Sequence, residues 1–282
     1  MPDAPGTVGE RPGAATASLA GISIYPVKGC RQRALVAATL GPRGLAGDRE
    51  WMVTRPDGTF LSQRTHPGLA RLVPELTATG LTICCPGIEP LVVAATAGAL
   101  REVTVWRDRM LAADAGEPAA GWLARALGTQ ARLVRIATQT LRFADRAYVG
   151  PQDVPVSFAD GYPLLVCSSA SLAELNRRLE LPVPMDRFRP NLVLDGLEPF
   201  AEDRLLALRI GGVVLRLVKA CTRCSVPSVD QLNGARSTDP VPALKAFRYD
   251  AALRGVTFGV NAVAEAPAGA RLELGAPVEL QA

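Results

Sequence analysis

Val214-Leu215-Arg216-Leu217-Val218-Lys219-Ala220-Cys221-Thr222-Arg223-Cys224-Ser225 alternates apolar and charged residues in its first half and then runs into two thiols. Branched apolar side chains in that rhythm mark a half-buried strand. Gly211-Gly212, just upstream, joins it to Leu205 to Ile210 as a hairpin, because glycine supplies the positive φ that two-residue turns need. The strand therefore delivers Cys221 and Cys224 at its end, with Arg223 between them. A cation beside a thiol favours the thiolate, so the segment is expected to present a thiolate to a partner.

Outward from it, the chain reads as many short strands with few helices. Leu19 to Lys28 alternates and is interrupted at Pro26. Lys28-Gly29 closes it, a charge next to a residue that lets a ligand approach the backbone. Ala34 to Leu40 is a further strand. Arg55-Pro56-Asp57-Gly58 is a turn with a mechanism, Pro presetting φ and Gly taking φ > 0. It predicts a hairpin with Asp48, Arg49 and Glu50 at its entrance as surface ion pairs. Short strands follow over Val73 to Val93, where adjacent Cys84 and Cys85 face opposite sides, and at Arg101 to Trp106 and Ala131 to Ile136. Glu117 to Leu127 is a helix with Trp122, Leu123, Ala126 and Leu127 on one side and Gly128 as cap.

Thr138 to Asp160 is loop-like and is the expected domain boundary. Beyond it come a buried strand, Tyr162 to Cys167, and a helix, Ser168 to Glu180, capped by Ser171 with Glu174 or by Ser168. Arg187 and Arg189 flank Phe188 ahead of the strand Leu192 to Asp195; they form either an anion pocket or pairs with Asp186 and Asp195. A short helix, Pro240 to Tyr249, and strands Thr257 to Val263, Arg271 to Leu274 and Pro277 to Leu280 complete the chain. The fold class is mainly β, of the α+β kind, with a barrel-like first unit.

Of the 282 residues 48% are hydrophobic, ample for a core and suited to two units. The net charge of +4 is small for this length and excludes bulk nucleic-acid binding, which needs a dense basic face. Arginine outnumbers lysine along the whole chain, beside abundant Ala, Gly and Pro, which reads as a coding bias. Met1 to Ser18 has no apolar h-region and reads as a disordered tail. No apolar run approaches the ~20 residues that span a bilayer. A cytoplasmic chain with no membrane contact and six mostly reduced cysteines is expected. The one histidine, His66, precedes Pro67-Gly68 as a loop residue, which excludes His-based zinc sites and diiron bundles.

The C-x-x-C pair leaves four readings. Structural zinc needs two more ligands, and no second C-x-x-C or His pair exists. A thioredoxin-like dithiol needs its first Cys at a helix start, whereas Ser225-Val226-Pro227-Ser228-Val229 is extended. Both thiols can be small packing residues. Or one is a single thiolate ligand to a soft, cofactor-borne metal or sulfur.

Four stretches in order bear on this choice: Tyr25-Pro26-Val27-Lys28-Gly29; Gly47-Asp48-Arg49-Glu50-Trp51; Phe188-Arg189-Pro190-Asn191; and Ala220-Cys221-Thr222-Arg223-Cys224 with Val229-Asp230. As a set they resemble MOSC proteins that carry an N-terminal MOSC β-barrel domain, in the branch of the amidoxime-reducing component and the bacterial N-hydroxylaminopurine-resistance reductases. The resemblance covers nearly the whole chain after Ser18. It implies a MOSC N-terminal barrel-like domain over 19–137, whose first strands can pack with the MOSC domain over 138–282, after a tail over 1–18. It implies molybdopterin, the molybdenum cofactor, with the metal held by the second cysteine, Cys224. It places phosphate and pterin contacts at Lys28, Arg49 and Arg189, with Gly29, Gly161, Tyr162, Asn191, Thr222, Arg223 and Asn261 in the shell.

The implied activity is reduction of small N-hydroxylated substrates, amidoximes or N-hydroxylated bases, to amines or amidines. Electrons come from a separate ferredoxin- or flavoprotein-type protein. The competing reading is a non-catalytic carrier of a persulfide or of molybdopterin. Pyridoxal phosphate binding is a further property that the resemblance to this family implies. The sequence departs from the pattern at Gly29, where many relatives have Ser, at Gly161-Tyr162, which replace a Thr-Ser pair, and at Asn261, in place of Tyr. No C-x₄-C-x₂-C run for a two-iron ferredoxin domain is found.

Overall fold

A computed structural model describes residues 17–95, 98–267 and 269–282. The expected tail lies outside the described residues up to residue 16; Ala17 is buried and Ser18 opens the first strand. The chain is mainly β, built on two larger sheets and two three-stranded ones. Nine strands form the largest sheet. Along it lie Glu279–Gln281, Ala207–Ile210, the thiol strand Val213–Thr222, Gly255–Glu265, Leu164–Ser168, Leu192–Asp195, Ser18–Ile24 and Arg33–Leu35, with Tyr249–Asp250 attached to Gly255–Glu265. The second sheet runs Leu100–Val105, Asp108–Asp114, Arg132–Ile136, Trp51–Thr54 and Val27–Lys28.

The first strand explains how the site arises. Ser18–Ile24 pairs with Leu192–Asp195 in the nine-stranded sheet, while Val27–Lys28 pairs with Trp51–Thr54 in the second. Proline cannot donate to a ladder and suits such a break. The chain thus changes sheets at Tyr25-Pro26, and Tyr25 and Lys28 come to lie at the seam. Leu19, Ile22, Leu164, Val166, Leu192, Leu194, Leu215 and Ala262 fill one core; Val27, Trp51, Val53, Leu61, Ile83, Trp122, Leu123 and Leu133 fill another. Each such large side chain contributes about 1.5–3 kcal/mol on leaving water, so the seam hangs between two firm supports.

Several local expectations meet their physical limits. The helix Glu117–Leu127 forms with Gly128 in the left-handed region at φ 67°. The helix expected over Ser168 to Glu180 runs only over Ser169–Asn176 and is capped by Ser168, whose hydroxyl accepts from the Ala170 amide. Ser171 turns inward instead and donates to buried Glu202 at 2.7 Å. Asp108–Asp114 is an additional strand that the sequence reading did not contain. The Thr138 to Asp160 stretch is irregular apart from the short helix Arg146–Val149, yet it is not a passive connection. Buried Arg142 donates to the carbonyls of Ser157, Ala159 and Asp160 at 3.0, 2.5 and 2.9 Å and to Asp108 at 2.6 Å. No helix among the described residues is long and apolar enough to cross a membrane.

Candidate functional site

A cleft of about 170 Å³ opens at the seam, lined from both sheets and from the loops between them. It collects every residue the sequence reading singled out: Lys28, Gly29, Arg49, Gly161, Tyr162, Arg189, Asn191, Thr222, Arg223, Cys224 and Asn261. These positions run from Lys28 to Asn261, so only the fold brings them together.

Two guanidinium groups share one aromatic post. The Arg49 and Arg189 guanidinium carbons lie 4.4 and 4.2 Å from the ring centre of buried Tyr25. The Tyr25 hydroxyl donates to the carbonyl of Pro190 at 3.0 Å, and burial raises its pKa, so it stays neutral. Arg49 is not a surface ion-pair residue, as its sequence neighbours suggested. It pairs with buried Asp48 and reaches the Asn191 side-chain oxygen at 3.2 Å. That oxygen also accepts from the Leu165 amide, while the Asn191 side-chain nitrogen donates to Ser23. Asn191 is therefore a pin joining two strands and fixing Arg49.

Arg189 has a different environment. It donates to the Cys30 carbonyl at 2.8 Å and to Gln231 at 3.2 Å. No carboxylate pairs with it among the described residues. Burial, and then the charge of Arg49, lower its pKa, partly offset by Tyr25. Its neighbour Arg187 turns away to Asp230 and Ser237, so the two arginines around Phe188 do not act together.

Lys28 is buried and donates to the Phe158 carbonyl at 2.8 Å and to Asp160 at 2.6 Å. Burial lowers its pKa and Asp160 offsets part of that. The Asp160 carboxylate, with 76% of its side chain exposed, also accepts from the Trp106 indole at 3.1 Å. Desolvation raises its pKa, but Lys28 and the indole outweigh it and hold it below the usual carboxylate range. Gly29 has φ 81° and its missing Cβ would meet Leu69 at 3.3 Å, so the backbone itself calls for glycine there.

The thiol strand reaches the cleft through two β-bulges against Gly255–Glu265, one between Leu217 and Lys219 and one between Ala220 and Thr222. Bulges bend a strand and re-aim its side chains. They remove the unbroken alternation that would put residues three apart on opposite faces, and both Cys221 and Cys224 line the cleft. Burial separates them instead: Cys221 is half-buried against the cluster containing Phe188 and Phe258, and Cys224 is exposed. Desolvation raises the Cys221 pKa, partly offset by Arg223. The Arg223 guanidinium is turned to the wall, donating to Phe258 and Phe188 carbonyls at 2.9 Å. Its charge thus bears on Cys221 and Cys167.

Residues 16–130 match the MOSC N-terminal beta barrel domain, and residues 153–279 match the MOSC domain. Mitochondrial amidoxime reducing component 2 of Rattus norvegicus is 32% identical over 238 residues, which cover 80% of this chain and 70% of that protein. The chain belongs to the MOSC family. Mitochondrial amidoxime-reducing component 1 of Homo sapiens is 33% identical over 247 residues, 82% of this MOSC chain and 72% of that protein. Molybdenum cofactor sulfurase of Danio rerio is 32% identical over 264 residues, but this MOSC chain spans only 31% of its length. The family is linked to the molybdenum cofactor and to N-hydroxy reduction.

The donor set of this MOSC cleft fits an organic anion that carries a soft metal. Lys28, Arg49, Arg64 and Arg189 line it against one carboxylate, Asp160, while Arg187 and Arg223, also in the lining, are held by Asp230, Ser237 and wall carbonyls. Planar guanidinium forks match phosphate oxygens. Cys224 offers one soft donor. No group of three or more His, Cys, Asp or Glu side chains converges among the described residues, so a metal held here takes its other ligands from the group that carries it.

Sequence reasoning missed Asp160, Gln63, Phe60, Arg64 and Trp106 in the lining. Gln63 and Gln231 exchange two hydrogen bonds of 2.9 Å across the seam. Backbone conformation carries a further signal. Among the described residues, five other than glycine have positive φ, and three of them, Arg49, Trp106 and Arg189 at 52°, 57° and 57°, line the cleft. Each such position costs on the order of 1–3 kcal/mol and persists where the surroundings impose it.

Proposed function

We propose that this MOSC protein is a molybdenum-cofactor-dependent reductase of small N-hydroxylated compounds, with a separate electron-transfer protein as its donor. The observation that carries the reading is the meeting of buried Lys28, half-buried Arg49 and Arg189, and an exposed thiol in one cleft. Arg189 and Arg49 bind the phosphate end, Tyr25 and Asn191 hold those guanidiniums in place, and Lys28 adds charge from the second sheet. Cys224 supplies the protein's thiolate to the metal. Gly29, Gly161, Tyr162, Thr222, Arg223 and Asn261 shape the space around the cofactor. When bound, the cofactor supplies two-electron redox chemistry. The overall reaction balances as N–OH plus two electrons and two protons giving N–H and water. For an amidoxime the organic product is the amidine.

The exposure of Cys224 also suits a carrier that hands over a persulfide or the pterin. Metal content separates the two readings. Protein purified from a cofactor-competent host is expected to hold about one molybdenum per chain and to reduce benzamidoxime with reduced viologen. Protein with a sulfane sulfur on Cys224, no molybdenum and no reductase activity would establish the carrier and end the enzyme reading.

A further inference from the structure

Trp106 has no place in the cofactor shell described above, and its setting is unusual. It occupies a two-residue hairpin turn, Trp106-Arg107, between the paired residues Val105 and Asp108. Such turns favour Gly, Asn or Asp because they need positive φ. Here an indole takes φ 57° instead. Trp106 is 46% exposed while Trp51 and Trp122 are each 3% exposed. A large aromatic held in a disfavoured backbone region and left open at a cleft is not explained by burial.

Its neighbours fix the ring as a flat surface. The Phe60 ring meets it edge-on at 5.1 Å. The indole nitrogen is tied to Asp160 at 3.1 Å. The Arg64 guanidinium stacks 4.4 Å from its ring centre and pairs with no carboxylate among the described residues. Phe60, Arg64, Trp106 and Asp160 all line the cleft that Cys224 enters from the other sheet. Aromatic and guanidinium planes together accept other flat π systems by offset stacking.

We propose that Trp106, with Phe60 and Arg64, is a substrate shelf that binds the flat, conjugated part of an aryl or heteroaryl N-hydroxylated compound. This rests on the reductase reading and adds which substrates it prefers: planar π-conjugated ones over saturated ones of equal size. Trp106 acts on binding and does not touch the N–O bond. The flat group recognised could instead be the pterin, and the experiment distinguishes the two.

The test compares benzamidoxime with cyclohexanecarboxamidoxime in loaded full-length protein driven by reduced viologen. In Trp106→Ala the KM for benzamidoxime is expected to rise about two- to tenfold, the range of one lost stacking contact. The KM for the cyclohexyl compound should shift far less, kcat should follow neither, and Trp106→Phe should recover most of the preference. A second readout needs no turnover. Benzamidoxime should quench the indole emission of the oxidised wild-type protein, since only one of its three tryptophans is exposed, and Trp106→Phe should lose that response. Loss of molybdopterin from Trp106→Ala would assign the shelf to the pterin and overturn the proposal. Equal KM changes for both substrates, or quenching that persists in Trp106→Phe, would overturn it too. Wild-type protein that reduces neither compound would refute the reductase reading, leaving the quenching result to decide the shelf.

Discussion

The two sides of the cleft are built in opposite ways. On one side Lys28, Arg49 and Arg189 are drawn inward, tied to carbonyls, amides and carboxylates, with two of the three in left-handed backbone. On the other side Thr222 ends a bulged strand, Cys224 follows two residues later, and both stand exposed. In the proposed function this difference would separate holding from reacting. A wall that grips an anion gains from groups fixed before the ligand arrives, and desolvation makes each charge count for more. A thiol that must meet a metal gains from access.

Arg189→Ala attacks the holding side where it is least compensated. Losing a charged fork should lower molybdopterin occupancy roughly ten- to a hundredfold, from about 1.5–3 kcal/mol of lost contact. The apo protein should lose little thermal stability, because the variant also removes a half-buried cation with no carboxylate partner among the described residues. Full cofactor content would remove Arg189 from the holding wall. Arg142→Ala attacks what lies behind that wall. It leaves three carbonyls and Asp108 without their donor and should cost about 2–4 kcal/mol in chemical denaturation. Lys28 should lose its seat as the Phe158–Asp160 backbone shifts. An unchanged unfolding midpoint would show that this segment holds itself.

Asp160→Asn is the mildest change. A carboxylate held below its ordinary pKa contributes stability above about pH 4, and loses it as the pH falls through the lowered folded value. The wild type should therefore have a steeper acid limb below about pH 4 than Asp160→Asn. Because that side chain is mostly solvated, the difference should stay under about 1 kcal/mol. Identical acid limbs would mean that the Lys28–Asp160 contact is not kept in solution.

What the sequence made legible follows this division. The thiol strand, the strand-end cations, the Glu117–Leu127 helix and the Gly211-Gly212 turn are local patterns, readable from alternation, caps and turn residues. Arg142 was not readable, since its partners are backbone carbonyls, which leave no mark on sequence. Asp160 was hidden in a stretch read as a connection, because its partner Lys28 lies more than a hundred residues away. Trp106 reads as a strand end, since its turn lacks the glycine or asparagine that announces one. The two thiols misled differently: their spacing assumed an unbroken strand, and bulges are set by pairing with a distant partner.

The central claim, that the exposed thiol and not its half-buried neighbour holds the metal, is tested most directly by Mo(V) paramagnetic resonance on Cys224→Ser and Cys221→Ser. The account predicts that Cys221→Ser keeps the wild-type signal and loses about 1–3 kcal/mol of stability if the new hydroxyl finds no partner. It predicts that Cys224→Ser keeps its stability, changes or loses the signal and loses reductase activity. A wild-type signal in Cys224→Ser together with its loss in Cys221→Ser would contradict it.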